Sequence, residues 1–175
     1  MYYVTEYISP LGEMTLASDV ACEKITGVWF EGQKYYGGTR DHEHIEKNDL
    51  AIFDAAREWL DRYFHGEKPC PDELPLAPEG STFRQEVWRL LCEIPYGEIT
   101  TYGKLAAKAA KNLGREKMSA QAIGGAVGHN PISVIIPCHR VIGADGSLTG
   151  YAGGIELKKQ LLIHERTGVL KYGKE

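Results

Sequence analysis

The sequence predicts an α+β fold in two parts. A small β-sheet with one helix occupies residues 1–80, and a mainly helical part containing a helix-turn-helix occupies residues 81–175. Three observations lead there. The first forty residues alternate and turn with the period of strands. A proline-rich stretch near residues 68–80 has no helical period and reads as a connection between two units. Beyond it, apolar residues recur three and four apart, in short runs separated by glycine and proline.

The elements follow in order. Tyr2-Tyr3-Val4-Thr5-Glu6-Tyr7-Ile8 is rich in β-formers and ends at the turn signal Ser9-Pro10-Leu11-Gly12. Met14-Thr15-Leu16-Ala17-Ser18 and Ile25-Thr26-Gly27-Val28-Trp29-Phe30 read as two further strands. Asp41 to Lys47 is a charged loop. Leu50, Phe53, Ala56, Leu60 and Phe64 then fall at helical spacing, which predicts an amphipathic helix over 49–64 with Trp59 and Tyr63 widening its core face. A second helix is expected over 82–94, with Phe83, Val87, Leu90 and Leu91 on its apolar side and a stop at Pro95-Tyr96-Gly97. Thr100 or Thr101 is placed to cap a short helix through Tyr102, Leu105, Ala106 and Ala109, and Ser119 to cap another through Ala120, Ala122, Ile123, Ala126 and Val127. Two short helices joined by a turn have helix-turn-helix spacing. The second is small and smooth, which suits close approach to a sugar-phosphate backbone or a minor groove rather than base reading by long side chains. Two core helices packed through small residues is the competing reading.

Ile132-Ser133-Val134-Ile135-Ile136 reads as a buried strand delivering Pro137-Cys138-His139-Arg140 into a glycine-rich loop. Only a thiolate is a strong nucleophile, so a neighbouring base has to take the Cys138 proton. In extended backbone His139 points to the opposite face from Cys138, so a bridging water or a local kink at Pro137 is needed. A buried structural cysteine beside a structural histidine is the alternative.

Composition narrows the classes. The chain has 175 residues, 43% hydrophobic and 25% charged, enough to bury a core. Cys22, Cys70, Cys92 and Cys138 form no CxxC pair, and Met1-Tyr2-Tyr3-Val4-Thr5-Glu6 has no basic-plus-apolar leader. Free thiols in a reducing, cytoplasmic compartment are expected. No apolar run reaches membrane-spanning length, so no membrane partner is expected. The net charge of −4 hides an asymmetry: residues 1–80 hold 7 basic and 16 acidic side chains, residues 81–175 hold 13 and 8. The second half is the one suited to a polyanion. A cysteine hydrolase is disfavoured, because a catalytic cysteine and histidine usually meet from separated segments. Neither Cys138-His139 nor His42-Glu43-His44 has paired-ligand spacing, so no essential metal and no cofactor are expected.

A cysteine nucleophile beside a small-residue helix-turn-helix makes sense where DNA is opened and one base is then modified. Phe83, Val87-Trp88, Ile94-Pro95-Tyr96-Gly97, Thr101-Tyr102, Leu105-Ala106, Ala122-Ile123-Gly124, Asn130-Pro131, the run from Ile135 to Val141, Tyr151-Ala152-Gly153-Gly154, Lys158, Leu161-Leu162 and His164-Glu165 closely resemble the O6-alkylguanine-DNA alkyltransferases, also called methylated-DNA–protein-cysteine methyltransferases. The resemblance covers nearly all of residues 81–168. It is loose over the first 80, where the family has a ribonuclease H-like unit.

The resemblance implies a monomeric, single-turnover DNA-repair enzyme acting on double-stranded DNA that contains O6-alkylguanine. The lesion is flipped into a pocket, and its alkyl group passes irreversibly to Cys138; O4 of thymine is a further potential site of attack. It further implies that Glu165 orients His139, which acts through a water on Cys138. Tyr102 would donate to guanine N3, and the carbonyls of Cys138 and Val141 would accept from the guanine amine. The Ala152 N–H would approach O6, Tyr151 would close the pocket, and Asn130 would tie the helix-turn-helix to the active-site segment. The DNA face would comprise Thr101, Ser119, Ala120, Gln121, Gly124, Gly125 and Arg140. Two positions depart from the pattern. Gln121 stands where the family usually carries an intercalating arginine, and so lacks its charge. Ala152 stands where several relatives have serine. A non-enzymatic, lesion-sensing group replaces the cysteine, which this chain keeps.

Overall fold

The computed structural model describes residues 1–36 and 43–167. Strands β1 (Tyr2–Ser9), β2 (Gly12–Ser18) and β3 (Ile25–Phe30) form an antiparallel meander, and β4 (His44–Glu46) adds to its far edge, giving the order β3-β2-β1-β4. The β1–β2 hairpin closes with Ser9 opposite Gly12, where Gly12 holds a positive φ of 127° and Ser9 Oγ donates to its carbonyl at 2.7 Å. The charged loop expected from Asp41 to Lys47 is partly a strand: His44–Glu46 pairs parallel with Tyr2–Val4, while Asp41 and His42 lie outside the described residues. All three β4 residues are exposed, as suits a short edge strand whose pairing uses only the main chain.

Helix α1 (Ala51–Phe64) packs Phe53, Ala56, Leu60 and Tyr63 into the core beside the sheet. It starts two residues later than expected, because Asn48 is engaged elsewhere, accepting from Thr5 Oγ1 at 2.6 Å. The proline-rich connection makes one 3-10 turn, Pro71–Glu73, and then pairs with β3. There Ile25 N–H donates to the Pro75 carbonyl and Ala77 N–H to that of Ile25. Helix α2 (Thr82–Leu91) is capped by Ser81 and donates from Trp88 Nε1 to the Ala126 carbonyl at 2.9 Å.

Strand β5 (Thr100–Thr101) leads into α3 (Tyr102–Asn112), capped by Thr101; α4 (Ala120–Gly128) is capped by Ser119. β5 pairs parallel with β6 (Val141–Ile142), and α5 (Ile155–Thr167) completes the described chain.

Residues 132–136 are not the expected strand. Only Ile132 pairs, in an isolated parallel bridge with Val28, fixed by Val28 N–H to the Pro131 carbonyl and Ser133 N–H to that of Val28, both at 2.9 Å. The chain then doubles back: Ile136 N–H donates to the Ile132 carbonyl, and Val134 takes a φ of 70°. A β-branched residue in that region costs about 1–3 kcal/mol and persists only where its surroundings over-determine it. The whole segment is buried, and one contiguous core runs from Met14, Leu16 and Phe53 through Leu91 and Ile123 to Val134 and Leu161. All six residues of β3 are buried, and its outer edge is bridged both by the connection, at Leu76, and by the segment at Ile132.

Candidate active site

Cys138, His139 and Arg140 form a 3-10 turn rather than extended chain. Successive side chains in such a turn splay by about a third of a revolution, so adjacency still does not bring His139 onto the sulfur. Asn130 sets the approach to this turn. It follows the C-cap of α4, is buried, and donates from Nδ2 to the carbonyls of Ile132 (3.1 Å) and Ile136 (2.9 Å) while Oδ1 accepts from Ile132 N–H (3.0 Å). The end of α4 and the strained loop before Cys138 are thereby held by one amide.

Cys138 is 5% exposed. Burial pushes its thiol up, opposed by the amide of Asn130 and the charge of Lys158. The resting sulfur is thus protonated at neutral pH and needs a base. His139 is fully buried, and burial pulls its imidazole down, with Glu165 opposing. Its Nε2 lies 2.5 Å from Glu165 Oε2, while its buried Nδ1 has no protein partner among the described residues. Against an ionised carboxylate Nε2 must carry the proton, which leaves Nδ1 as the basic lone pair.

Glu165, on the inner face of α5, is 6% exposed and holds five donors. Oε2 accepts from His139, from Tyr63 Oη at 2.6 Å and from Arg140 Nη2 at 3.1 Å; Oε1 accepts from Arg140 Nε at 2.8 Å and from Gly97 N–H at 3.2 Å. Burial alone pushes this carboxyl up, but His139 and Arg140 outweigh it and hold it well below the usual range. The Gly97 N–H is aimed by a φ of 81°, which the turn after Pro95 requires.

Arg140, expected at the DNA face, is instead buried: its guanidinium pairs with Glu165, donates to the Ile94 carbonyl at 2.6 Å and lies over the Tyr96 ring. The remaining expected residues fall into two groups. Tyr102, Asn130, Val141, Tyr151 and Ala152 lie around Cys138 and the loop that follows β6. Tyr102 Oη donates to the Thr149 carbonyl at 2.8 Å and would lie 3.2 Å from a Cβ on Gly150, whose φ is 76°. The exposed group is Ser119, Ala120, Gln121 and Gly125, with Gly124 half-buried, along one side of α4; a Cβ at Gly124 or Gly125 would meet only open space. Thr101 and Ser119 spend their hydroxyls on capping Lys104 N–H and Ala122 N–H. Lys104, Lys108, Lys111, Arg115 and Lys117, all exposed, lie on α3 and its connection to α4.

An open cleft of about 700 Å³ lies between α4 and the loop bearing Tyr151 and Ala152, lined also by His129, Lys34 and Tyr35. Lys34 N–H donates to the Ala152 carbonyl at 3.0 Å, and Tyr35 stacks on His129 with centroids 3.8 Å apart. The segment after β3 therefore forms one wall.

Two residues were given no role at the site by the sequence reading: Lys158, quoted there only as part of the resemblance, and Tyr63, placed only on the core face of α1. Lys158 is 1% exposed and donates to the Thr149 carbonyl (2.9 Å) and to Tyr102 Oη (3.4 Å). Burial lowers its ammonium to about 8, with Cys138 opposing. Its position seven residues before Glu165, and three before the buried Leu161, was the available signal. Tyr63 sits at a core position of α1, and its partner is 102 residues away, so local pattern held no signal for it. Among the described residues, no group of three or more His, Cys, Asp or Glu could hold a metal ion.

Comparison with known proteins covers both parts of the chain. Residues 82–167 match the model for the DNA-binding domain of 6-O-methylguanine DNA methyltransferase, and residues 1–78 match that for its ribonuclease-like domain. The chain is 42% identical over 173 residues to the methylated-DNA–protein-cysteine methyltransferase of Haemophilus influenzae, covering 99% of this chain and 91% of that one. It is 44% identical to that of Methanosarcina acetivorans, covering 93% and 96%. The crystal structure of Mycobacterium tuberculosis OGT in complex with DNA superposes with a TM-score of 0.81 at 38% identity, covering 95% of this chain and 94% of that one.

Proposed function

This chain belongs to the 6-O-methylguanine DNA methyltransferase family, and on that premise we propose that it repairs DNA by moving an alkyl group from O6 of guanine onto its own Cys138. The observation that carries the proposal is the buried chain Cys138–His139–Glu165, a thiol, an imidazole with one free basic nitrogen and a carboxylate fixed by five donors. A separate observation supports the DNA side of the reading: an open cleft runs between the smooth helix α4 and the loop bearing Tyr151 and Ala152.

The chemistry follows from the groups. His139 Nδ1 takes the Cys138 proton through one bridging water, and Glu165 stabilises the resulting imidazolium. The thiolate attacks the alkyl carbon; the S–C bond forms as the C–O bond breaks, and the electron pair leaves onto the guanine. Tyr102 Oη is placed to donate a proton to that ring by turning from the Thr149 carbonyl. Lys158, which donates to both, is placed to hold that carbonyl once Tyr102 has turned away. The thioether is stable, so each molecule reacts once. For the DNA, the capped N-termini of α3 and α4 form a helix-turn-helix with basic side chains on α3 and the connection. Small residues on α4 fit close approach to the duplex, and the cleft fits a guanine rotated out of the stack.

Mixing the protein with duplex DNA carrying a single O6-methylguanine, then measuring intact mass and mapping peptides, tests this. One added methyl per molecule on the Cys138 peptide is the expected result. Tight binding to the lesion with unchanged mass would replace the proposal with a non-transferring lesion binder.

A further inference from the structure

We propose that Tyr63, on the N-terminal helix α1, is a positioning residue for alkyl transfer: its hydroxyl anchors Glu165 Oε2 and, by sharing that oxygen's charge, sets how strongly Glu165 retains the His139 proton. The inference rests on the reading of Cys138 as the acceptor served by His139.

The geometry is specific. Tyr63 Oη and His139 Nε2 are bound to the same carboxylate oxygen, at 2.6 and 2.5 Å, and both side chains are fully buried. Tyr63 also holds the adjacent residue, since its carbonyl accepts from His164 Nε2 at 2.8 Å. Main chain and side chain of one α1 residue thus hold two successive residues of α5. The ring is fixed by stacking on Trp59 (centroids 5.8 Å, planes 8° apart) and by edge contacts with Phe64 and Tyr96. Packing alone would be met by phenylalanine. The hydroxyl adds a buried donor on the oxygen that faces the imidazole.

That donor has a chemical consequence. Each hydrogen bond accepted by Oε2 draws charge away from it and lowers its pull on the His139 proton. Without the Tyr63 hydroxyl, Arg140 and Gly97 still hold the carboxylate in place, but more charge remains on the oxygen facing His139. The imidazolium is then favoured, and the Cys138 thiolate forms at lower pH.

The test is the pH dependence of Cys138 alkylation by iodoacetamide in the full chain and in Tyr63→Phe, from about pH 5 to about pH 10, spanning the ordinary histidine and cysteine values. Peptide mass separates Cys138 from the other three thiols. Single-turnover methyl transfer from O6-methylguanine duplex is measured in parallel. The acid limb of both profiles moves down by about one pH unit in Tyr63→Phe, a modest transmission of a hydrogen bond to a charged group. The plateau falls about threefold, because a less basic thiolate is a weaker nucleophile. Replacing Tyr63 site-specifically by 3,5-difluorotyrosine, a stronger donor of nearly the same shape, moves the limb the other way and serves if Tyr63→Phe does not fold. Limbs that coincide with wild type in the folded variant, or a fall uniform at every pH, would overturn the proposal and leave Tyr63 a packing residue. A shifted iodoacetamide limb in a protein that takes no methyl from DNA would support the Tyr63 coupling while rejecting alkyl transfer. The reverse pattern would reject Tyr63 alone.

Discussion

Glu165→Gln is the sharpest perturbation of this site, because it keeps shape and removes one charge. The carboxylate accepts five hydrogen bonds. An amide turns one oxygen into a donor, so it confronts either Arg140 Nε and Gly97 N–H, or Tyr63, His139 and Arg140 Nη2. The buried Arg140 guanidinium loses its counter-charge, and removing one partner from a buried ion pair costs about 3–5 kcal/mol. For a chain of this length that lowers the melting temperature by roughly 6–20 °C, within the stability of a typical domain. His139, already pulled down by burial, loses the charge that opposed it and becomes a still weaker base. Single-turnover transfer from O6-methylguanine duplex should slow roughly a hundredfold, the low end of what a positioned base supplies. The sign with pH is fixed: the folded Glu165 carboxyl lies below its unfolded value, so its stabilisation is full above about pH 4.3 and is lost as pH falls toward the folded value. Acid unfolding of the variant should therefore be flatter in that window. A lowered melting temperature with a transfer rate within about twofold of wild type would refute the proton-path role and leave Glu165 as the anchor of Arg140.

Three further outcomes are expected. Cys138→Ala abolishes methyl uptake while lesion-duplex affinity by fluorescence anisotropy stays near wild type; retained uptake on another residue would reject Cys138 as acceptor. Gln121→Arg adds a cation on the exposed face of α4, so it tightens duplex binding and steepens the salt dependence of log K by about one unit. An unchanged slope would place Gln121 off the DNA. Asn130→Ala leaves the buried Ile132 N–H without a partner, at about 1–3 kcal/mol, and removes one of two donors from each of the Ile132 and Ile136 carbonyls, which keep the N–H groups of Ile136 and Cys138, at about 0.5–1.5 kcal/mol for each lost bond. Urea unfolding should therefore show a loss of several kcal/mol together with slower transfer, and a loss below about 1 kcal/mol would deny that amide its role in holding the strained loop.

Local pattern was enough where neighbours in sequence are neighbours in space. The caps at Thr101 and Ser119, the apolar face of α1 and the hairpin at Ser9–Gly12 are all short-range, and each was legible. The apolar run at 132–136 misled for a physical reason. Burial on all sides looks the same in sequence whether the chain is a strand or a folded-back loop, and only the Asn130 bonds and the edge of β3 decide between them. Arg140 was expected at the DNA face through the resemblance, and nothing in its local sequence signals its burial. Its partner Glu165 is 25 residues on, a separation over which local pattern carries no signal.

The same long-range contacts explain why a chain matched by two family models behaves as one site. Val28 on β3 pairs with Ile132, Lys34 N–H holds the Ala152 carbonyl, and Tyr63 holds Glu165. These three contacts reach the loop before Cys138, the loop lining the cleft and the carboxylate behind His139. Each originates before residue 80, in the half that carries the excess acidic charge and was the less suited of the two to meet DNA. Acidic surface and active-site support are compatible because the supporting groups are main-chain amides and a buried phenol, which carry no net charge toward the duplex. The basic side chains can then stay on α3 and its connection, while the first half holds the loops and the carboxylate around Cys138 and His139.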